Sequence, residues 1–281
     1  MNSIPEENIN PFVLSVAQRS RNMSGLNRDS PMTNRVALVT GSSRGIGRAI
    51  ALRFARDGAA VAINYRERRD QAEEVVGAIT RAGGRAVAIP ADLANAADCT
   101  RLVDTARKAL GPIDILVNNA GVFRKGDLAD FDIALLEGMR NVNVDGLVRV
   151  THAVVADMKA RRWGRIVNVA SVAGLGMSTP GTTFYSATKA AAISLTRRFA
   201  LDLGPHGITV NAIAPGFIAT DMAKQSGADF DAIAAKAMMR RVGTPDDIAA
   251  AASFLVSEEA GFITAQVLTV DGGRTDFIAH P

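Results

Sequence analysis

The sequence predicts an α/β fold, a doubly wound parallel sheet of seven strands with helices on both faces. Three observations carry this: seven short, continuously apolar runs, longer helical patterns between them, and glycines where those helices should end. The runs are 36–40, 60–64, 86–90, 114–118, 166–170, 208–213 and 267–270. None alternates apolar with polar residues, so each reads as a strand buried on both faces, the signature of a parallel sheet. Helical periodicity fills 46–57, 70–82, 96–110, 133–160, 184–203 and 245–256. Gly58, Gly83, Gly111 and Gly204 stand at expected helix C-termini. Repeated β-α units imply right-handed crossovers and a ligand crevice at the carboxyl ends of the strands. No linker interrupts residues 35–281, which read as one domain.

Residues 1–34 differ: Ser, Asn, Pro and Arg dominate, and only 11–17 is apolar. That run is short for a secretory signal, and Glu6, Glu7 and Asp29 do not suit a transit peptide. The expectation is a disordered extension, with Met32 resembling a natural start. Over the 281 residues, 48% apolar and 21% charged composition excludes a disordered protein. Cys99 is the single cysteine, which excludes an internal disulfide, a Cys-rich zinc site and an iron–sulfur cluster and suits a reducing compartment, the cytoplasm by default. His152, His206 and His280 are scattered without metal-ligand spacing, so no metal is expected. The longest uncharged stretch, 166–188, contains Asn168, Ser171 and Pro180, which argues against a membrane span. The net charge of +4 comes from 32 Lys and Arg against 28 Asp and Glu, and the basic clusters are short pairs. Nucleic acid is therefore not an expected partner.

The first run leads into Thr40-Gly41-Ser42-Ser43-Arg44-Gly45-Ile46-Gly47 and then a helical pattern. Glycines there permit a tight turn and let backbone N–H groups approach a pyrophosphate at the positive helix terminus. The strand-loop-helix setting makes this a dinucleotide-binding loop of Rossmann type. A site for NAD usually has Asp or Glu at the end of the second strand to bond the ribose 2′-hydroxyl. This chain has Asn64-Tyr65-Arg66 there, and Arg44 and Arg66 could neutralise a 2′-phosphate. NADP(H) is preferred over NAD(H).

Tyr185 and Lys189 lie four residues apart in a helical pattern, on one face. A nearby ammonium stabilises a phenolate, so the pair could donate a proton to a carbonyl oxygen with a lowered tyrosine pKa. Ordered motifs surround it: Thr40–Gly47, Asp92-Leu93, Asn118-Asn119-Ala120-Gly121, Asn143, Ser171, Tyr185-Ser186-Ala187-Thr188-Lys189, Pro215-Gly216 and Val270-Asp271-Gly272-Gly273. With these the chain resembles the short-chain dehydrogenase/reductase family from about 35 to 273. The resemblance implies a catalytic set of Asn143, Ser171, Tyr185 and Lys189. Tyr185 would be the general acid, Lys189 would lower its pKa and bond the nicotinamide ribose, Ser171 would bond the substrate carbonyl, and Asn143 would hold a relay water. It further implies cofactor contacts from Gly41, Ser43, Arg44, Gly45, Ile46, Gly47, Asn64 and Arg66. Asp92 and Leu93 would meet the adenine; Asn118, Ala120 and Gly121 the adenosine ribose; Pro215, Gly216, Ile218 and Thr220 the nicotinamide end. Ser171 and Tyr185 are fourteen apart, where many relatives have thirteen, so the loop at 174–183 reads as one residue longer.

Phrases such as Pro215-Gly216-Phe217-Ile218-Ala219-Thr220 and Arg241-Val242-Gly243-Thr244-Pro245 look most like 3-oxoacyl-[acyl-carrier-protein] reductases of that family. The activity this implies is NADPH-dependent reduction of a 3-oxoacyl thioester, on acyl carrier protein or coenzyme A, to the 3-hydroxyacyl form. An alternative is a short-chain alcohol, sugar or polyol dehydrogenase outside fatty-acid synthesis. A non-catalytic dinucleotide-binding regulator is a remote one, since a sensor needs no general acid. Such enzymes meet an acidic carrier with basic residues near the site; Arg162 falls at one such position, while His206 replaces Arg at the other. Met238 and Met239 would contribute an adaptable apolar wall to a substrate lid. A homotetramer, built through 133–160, 184–203 and 254–273, is the family's usual assembly.

Overall fold

The computed structural model describes residues 32–129, 131–176, 180–220, 223 and 229–274. Of the expected extension, residues 1–31 lie outside the described residues. Met32 belongs to the packed fold and not to that extension: its side chain is buried and its N–H donates to the Asp57 carbonyl at 2.8 Å.

Seven parallel strands form one sheet: β1 (Val36–Val39), β2 (Ala60–Tyr65), β3 (Ala86–Pro90), β4 (Ile115–Asn118), β5 (Gly164–Val169), β6 (Ile208–Pro215) and β7 (Val267–Val270), in the order β3-β2-β1-β4-β5-β6-β7. The order reverses between β1 and β4, so a crevice opens at their carboxyl ends. The helices are α1 (Gly45–Arg56), α2 (Arg69–Arg81), α3 (Ala96–Leu110), α4 (Ile133–Arg140), α5 (Leu147–Arg161), α6 (Thr183–Leu203), α7 (Phe230–Ala235) and α8 (Pro245–Val256). Side chains alternate across each strand into two cores. Val39, Ile63 and Val117 pack with Phe54 of α1, Val75 of α2 and Leu255 of α8 on one face. Leu38, Leu116 and Val210 pack with Leu102 of α3, Val154 of α5 and Leu203 of α6 on the other. β1, β2, β4, β5 and β6 are buried throughout, as expected. The edge strands β3 and β7 are only partly covered, because each has a neighbour on one side alone.

One helix expectation needs correction. The predicted helix 133–160 is broken by a π-helical turn, Asn141–Gly146, where the Asn143 side chain turns inward to grip a neighbouring loop. Gly204 caps the C-terminus of α6 as expected, in right-handed geometry, and a 3-10 turn follows. The left-handed residue is Gly207, at φ 73°, where a Cβ would lie 2.4 Å from the Arg162 carbonyl oxygen. Among the described residues, no helix is long and apolar enough to cross a membrane.

Candidate active site

The loop between β1 and α1 is held from three directions. Gly41 N–H donates to Asn64 Oδ1 at 3.0 Å, and the Asn64 amide donates in turn to the Ala91 carbonyl at 3.2 Å. Asn119 Nδ2 donates to the Thr40 and Gly41 carbonyls at 2.9 and 3.0 Å, while Thr40 Oγ1 accepts from the N–H groups of Asn119 and Ala120. A Cβ at Gly47 would meet Asn119 Nδ2 and the Gly41 oxygen at 2.5 Å, so only glycine lets α1 approach this closely. Arg44, the residue before α1, makes no side-chain cap, and the first turn of α1 has no acid. Its N–H groups and dipole therefore face the cavity available to an anion.

That cavity, of about 920 Å³, runs along the carboxyl ends of the strands. Ser171, following β5, is joined there by Tyr185 and Lys189 on α6. Ser171 Oγ accepts from Ala173 N–H at 3.2 Å and is hydrogen-bonded to Tyr185. The Phe123 ring meets the Tyr185 ring edge-on, with centroids 5.2 Å apart. Lys189 Nζ donates to the Val169 carbonyl at 2.8 Å and lies 5.7 Å from the Tyr185 ring centroid. Burial pushes the Tyr185 phenol up to about 12, opposed in part by the Ser171 hydrogen bond. Burial also brings the Lys189 ammonium down to about 8. Desolvation thus disfavours the charged form of each residue.

All site residues expected from sequence line this cavity except Asn118 and Asn143. The Asn118 amide turns into the interior and donates to Thr151 Oγ1 and Asn168 Oδ1 at 3.0 and 2.9 Å. Asn143 Oδ1 accepts from Val122 N–H at 2.8 Å, and its Nδ2 donates to the Val122 carbonyl and Thr188 Oγ1, both at 3.0 Å. It thus ties the loop after β4 to α6, with its side chain fully engaged. Asn64 lines the cavity, yet its amide is committed to the loop and to β3. Met238 and Met239 are largely exposed and pack beside Gly272 and Gly273, while residues 221–222 and 224–228 of the expected lid lie outside the described residues. Arg162 and His206 do come together, with Arg162 donating to the Pro205 carbonyl at 3.2 Å. They precede β5 and β6, however, at the opposite end of the strands from the cavity, about 20 Å away for a six-residue strand. The part of the longer loop at 177–179 lies outside the described residues.

The sequence reading missed Asn119, Arg68, Lys125, Lys236 and Arg274 as residues of this site. Arg68 follows Arg66 so closely that local charge could have flagged it. Nothing local in the sequence brings Lys236 and Arg274 to this cavity, because their meeting depends on a short bridge between Ala237 and Arg274.

Comparison with known proteins gives a consistent picture. The family model described as enoyl-(acyl carrier protein) reductase matches residues 41–275. A 3-oxoacyl-[acyl-carrier-protein] reductase of Synechocystis sp. is 41% identical over 247 residues, covering 88% of this chain and 99% of that protein. The (2S)-[(R)-hydroxy(phenyl)methyl]succinyl-CoA dehydrogenase subunit BbsD of Thauera aromatica is 42% identical over 250 residues, 87% of this chain and 98% of its own. A crystal structure of a short chain dehydrogenase from Burkholderia cenocepacia in complex with NADP superposes with a TM-score of 0.81 at 42% identity, covering 87% and 99% of the two chains.

Proposed function

The chain belongs to the short-chain dehydrogenase/reductase family, an oxidoreductase family, and from that membership we propose that it is an NADPH-dependent reductase of 3-oxoacyl thioesters. The observation that carries this reading is that Ser171, Tyr185 and Lys189 face one cavity whose other end is a glycine loop and an uncapped helix. The loop fits a dinucleotide, since Gly41 and Gly47 leave space where a Cβ would collide with backbone. Arg44, Arg66 and Arg68 line the adenosine corner and suit a 2′-phosphate. Glu67, the acid beside them, is paired with Arg66 at 2.5 Å.

When bound, the reduced cofactor supplies a hydride to the carbonyl carbon. Tyr185 gives its phenolic proton to the carbonyl oxygen as charge develops there, and the Ser171 hydroxyl donates to the same oxygen. A phenol held at about 12 is fully protonated at neutral pH, which is the state reduction requires. The resulting phenolate is stabilised by the Lys189 ammonium, which below about pH 8 also carries a proton to replace the one lost. Asn143 acts as a positioning residue, since its side-chain groups already hold Val122 and Thr188.

The test is NADPH oxidation with acetoacetyl-CoA, a 3-oxoacyl carrier protein and a simple diketone, and a polyol assayed in reverse. Fastest turnover of a thioester is expected; failure on both thioesters beside rapid turnover of another member would overturn it. A second reading, a ketone or sugar reductase without a carrier, is favoured by the position of Arg162 and His206 at the strand ends away from this chain's own cavity.

A further inference from the structure

Helix α6 carries two buried threonines, Thr188 and Thr196, and each takes a hydrogen bond from an asparagine on a neighbouring element. Thr196 Oγ1 accepts from Asn168 Nδ2 at 2.9 Å and donates to the Ala192 carbonyl at 2.8 Å. Thr188 Oγ1 accepts from Asn143 Nδ2 at 3.0 Å and donates to the Tyr185 carbonyl at 2.8 Å. Threonines often return a bond to their own helix in this way. The two differ in where their bonds lead. Thr188 joins two residues of the expected catalytic set and directly precedes a third, Lys189.

Thr188 does not line the cavity, so whatever it does for the reaction passes through Asn143 and Tyr185. Its one proton is committed to the Tyr185 carbonyl, and toward Asn143 it can only accept. That turns the NH2 end of the Asn143 amide to α6 and its oxygen to the loop after β4. In this orientation Asn143 Oδ1 accepts from Val122 N–H at 2.8 Å while Nδ2 also donates to the Val122 carbonyl at 3.0 Å. The next residue, Phe123, sets its ring edge-on against the Tyr185 ring at 5.2 Å. Tyr185 is thus held at its backbone by Thr188 and at its ring by a loop that the same asparagine fixes. The circuit runs from Tyr185 through Thr188, Asn143, Val122 and Phe123 back to Tyr185. Every member is a described residue, and Thr188 and Asn143 are shielded from water.

We infer that Thr188 is a positioning residue, whose hydroxyl closes the circuit that holds the Tyr185 phenol beside Ser171. The inference deepens the proposed carbonyl reduction and rests on it.

Thr188→Val keeps the side-chain shape, removes the hydroxyl and takes from Asn143 its partner on α6. Thr196→Val removes the corresponding bond to Asn168 about two turns further along the helix, away from Tyr185, and is the structural control. Single-turnover reduction by NADPH is followed with acetoacetyl-CoA and with a simple diketone, each rate being normalised to the measured NADPH-binding stoichiometry. Thr188→Val should slow the reaction by about ten- to a hundredfold, since small misplacements of a reacting group cost that much. Thr188→Ser should recover most of the loss, and Thr196→Val should react like the parent. In a Tyr185→Phe background no phenolic proton remains to be placed, so adding Thr188→Val should change the residual rate by less than about twofold. The proposal is overturned if Thr188→Val reacts as fast as the parent, if Thr188→Ser recovers nothing, if Thr196→Val is equally slow, or if the loss carries in full into Tyr185→Phe. Should Thr188→Val not fold, Thr188→Ala takes its place; failure of both to fold makes the hydroxyl structural and overturns the proposal too. If the parent reduces neither carbonyl, the reductase reading fails for these substrates. The circuit is then judged by amide hydrogen exchange over 119–124: faster exchange at Val122 in Thr188→Val than in the parent and in Thr188→Ser supports it, and equal exchange overturns it.

Discussion

Burial acts on Tyr185 and Lys189 in opposite directions, because it disfavours a phenolate and an ammonium alike. The tyrosine is thereby kept as an acid and the lysine is brought close to working pH. The sign of the pH dependence follows. Reduction needs the phenol protonated and the ammonium charged; the phenol stays protonated to about 12, so the lysine titrates first. The reductive kcat should hold steady below about pH 8 and fall as pH rises through that value, whereas the reverse oxidation, which needs a proton acceptor, should rise with pH. Stopped-flow rates from pH 6 to 10 in both directions check this; a reductive rate that climbs above pH 8 would contradict it. Tyr185→Phe removes the proton donor while leaving the ring that packs on Phe123, and kcat should fall by about 10² to 10⁴. Circular dichroism and quenching or shift of NADPH fluorescence would verify that fold and binding survive. Asn64 shows a different kind of necessity. Its buried amide links Gly41 to Ala91, and Asn64→Leu should lower stability by about 1–3 kcal/mol, seen as a drop in Tm, with weaker NADPH binding as the loop loosens.

At the scale of elements, the glycine loop and α1 form one unit with the end of β4. Gly47→Ala would drive a methyl into Asn119 Nδ2 and the Gly41 oxygen, both 2.5 Å from the ideal Cβ position. The side chain of Asn119 could move, but the loop backbone could not do so without shifting the phosphate-facing N–H groups. NADPH affinity should fall at least tenfold, measured by fluorescence titration, with the sheet retained by circular dichroism. Much of this unit was legible in the sequence, since strand, glycines and helix start have local signatures. The strands were legible for the same reason: Leu38, Ile63 and Val117 sit in unbroken apolar runs because both faces of the sheet are covered. The π-helical turn at Asn141–Gly146 was not. Periodicity through 133–160 looked continuous, and the break is made by tertiary bonds from Asn143 to Val122 and Thr188. Asn118 and Asn119 were likewise indistinguishable as a pair of letters. Alternation at the end of β4 sends Asn118 to the interior and frees Asn119 to clasp the loop.

For the whole molecule, the edge of the sheet raises a problem that a second copy would solve. Among the described residues β7 pairs only with β6, and Leu268 on it is 38% exposed. Phe254 of α8 and Phe262 in the following turn are 45% and 104% exposed. Val148 of α5 and Leu201 of α6 put further apolar surface outside, on the two long helices that the family resemblance expects at an interface. An exposed strand edge beside large apolar side chains invites association, and a closed arrangement about two-fold axes buries it without open-ended growth. The protein is therefore expected to be a homotetramer with one contact through α8 and β7 and another through α5 and α6. Light scattering coupled to size-exclusion chromatography should give four subunit masses, and the double variant Phe254→Asp/Leu268→Asp should fall to two by losing the first contact alone. Val148→Asp/Leu201→Asp should do the same through the second, and combining all four changes should leave single subunits. A parent that runs as one subunit at micromolar concentration would show that these side chains are tolerated in solvent and that the edge is protected some other way.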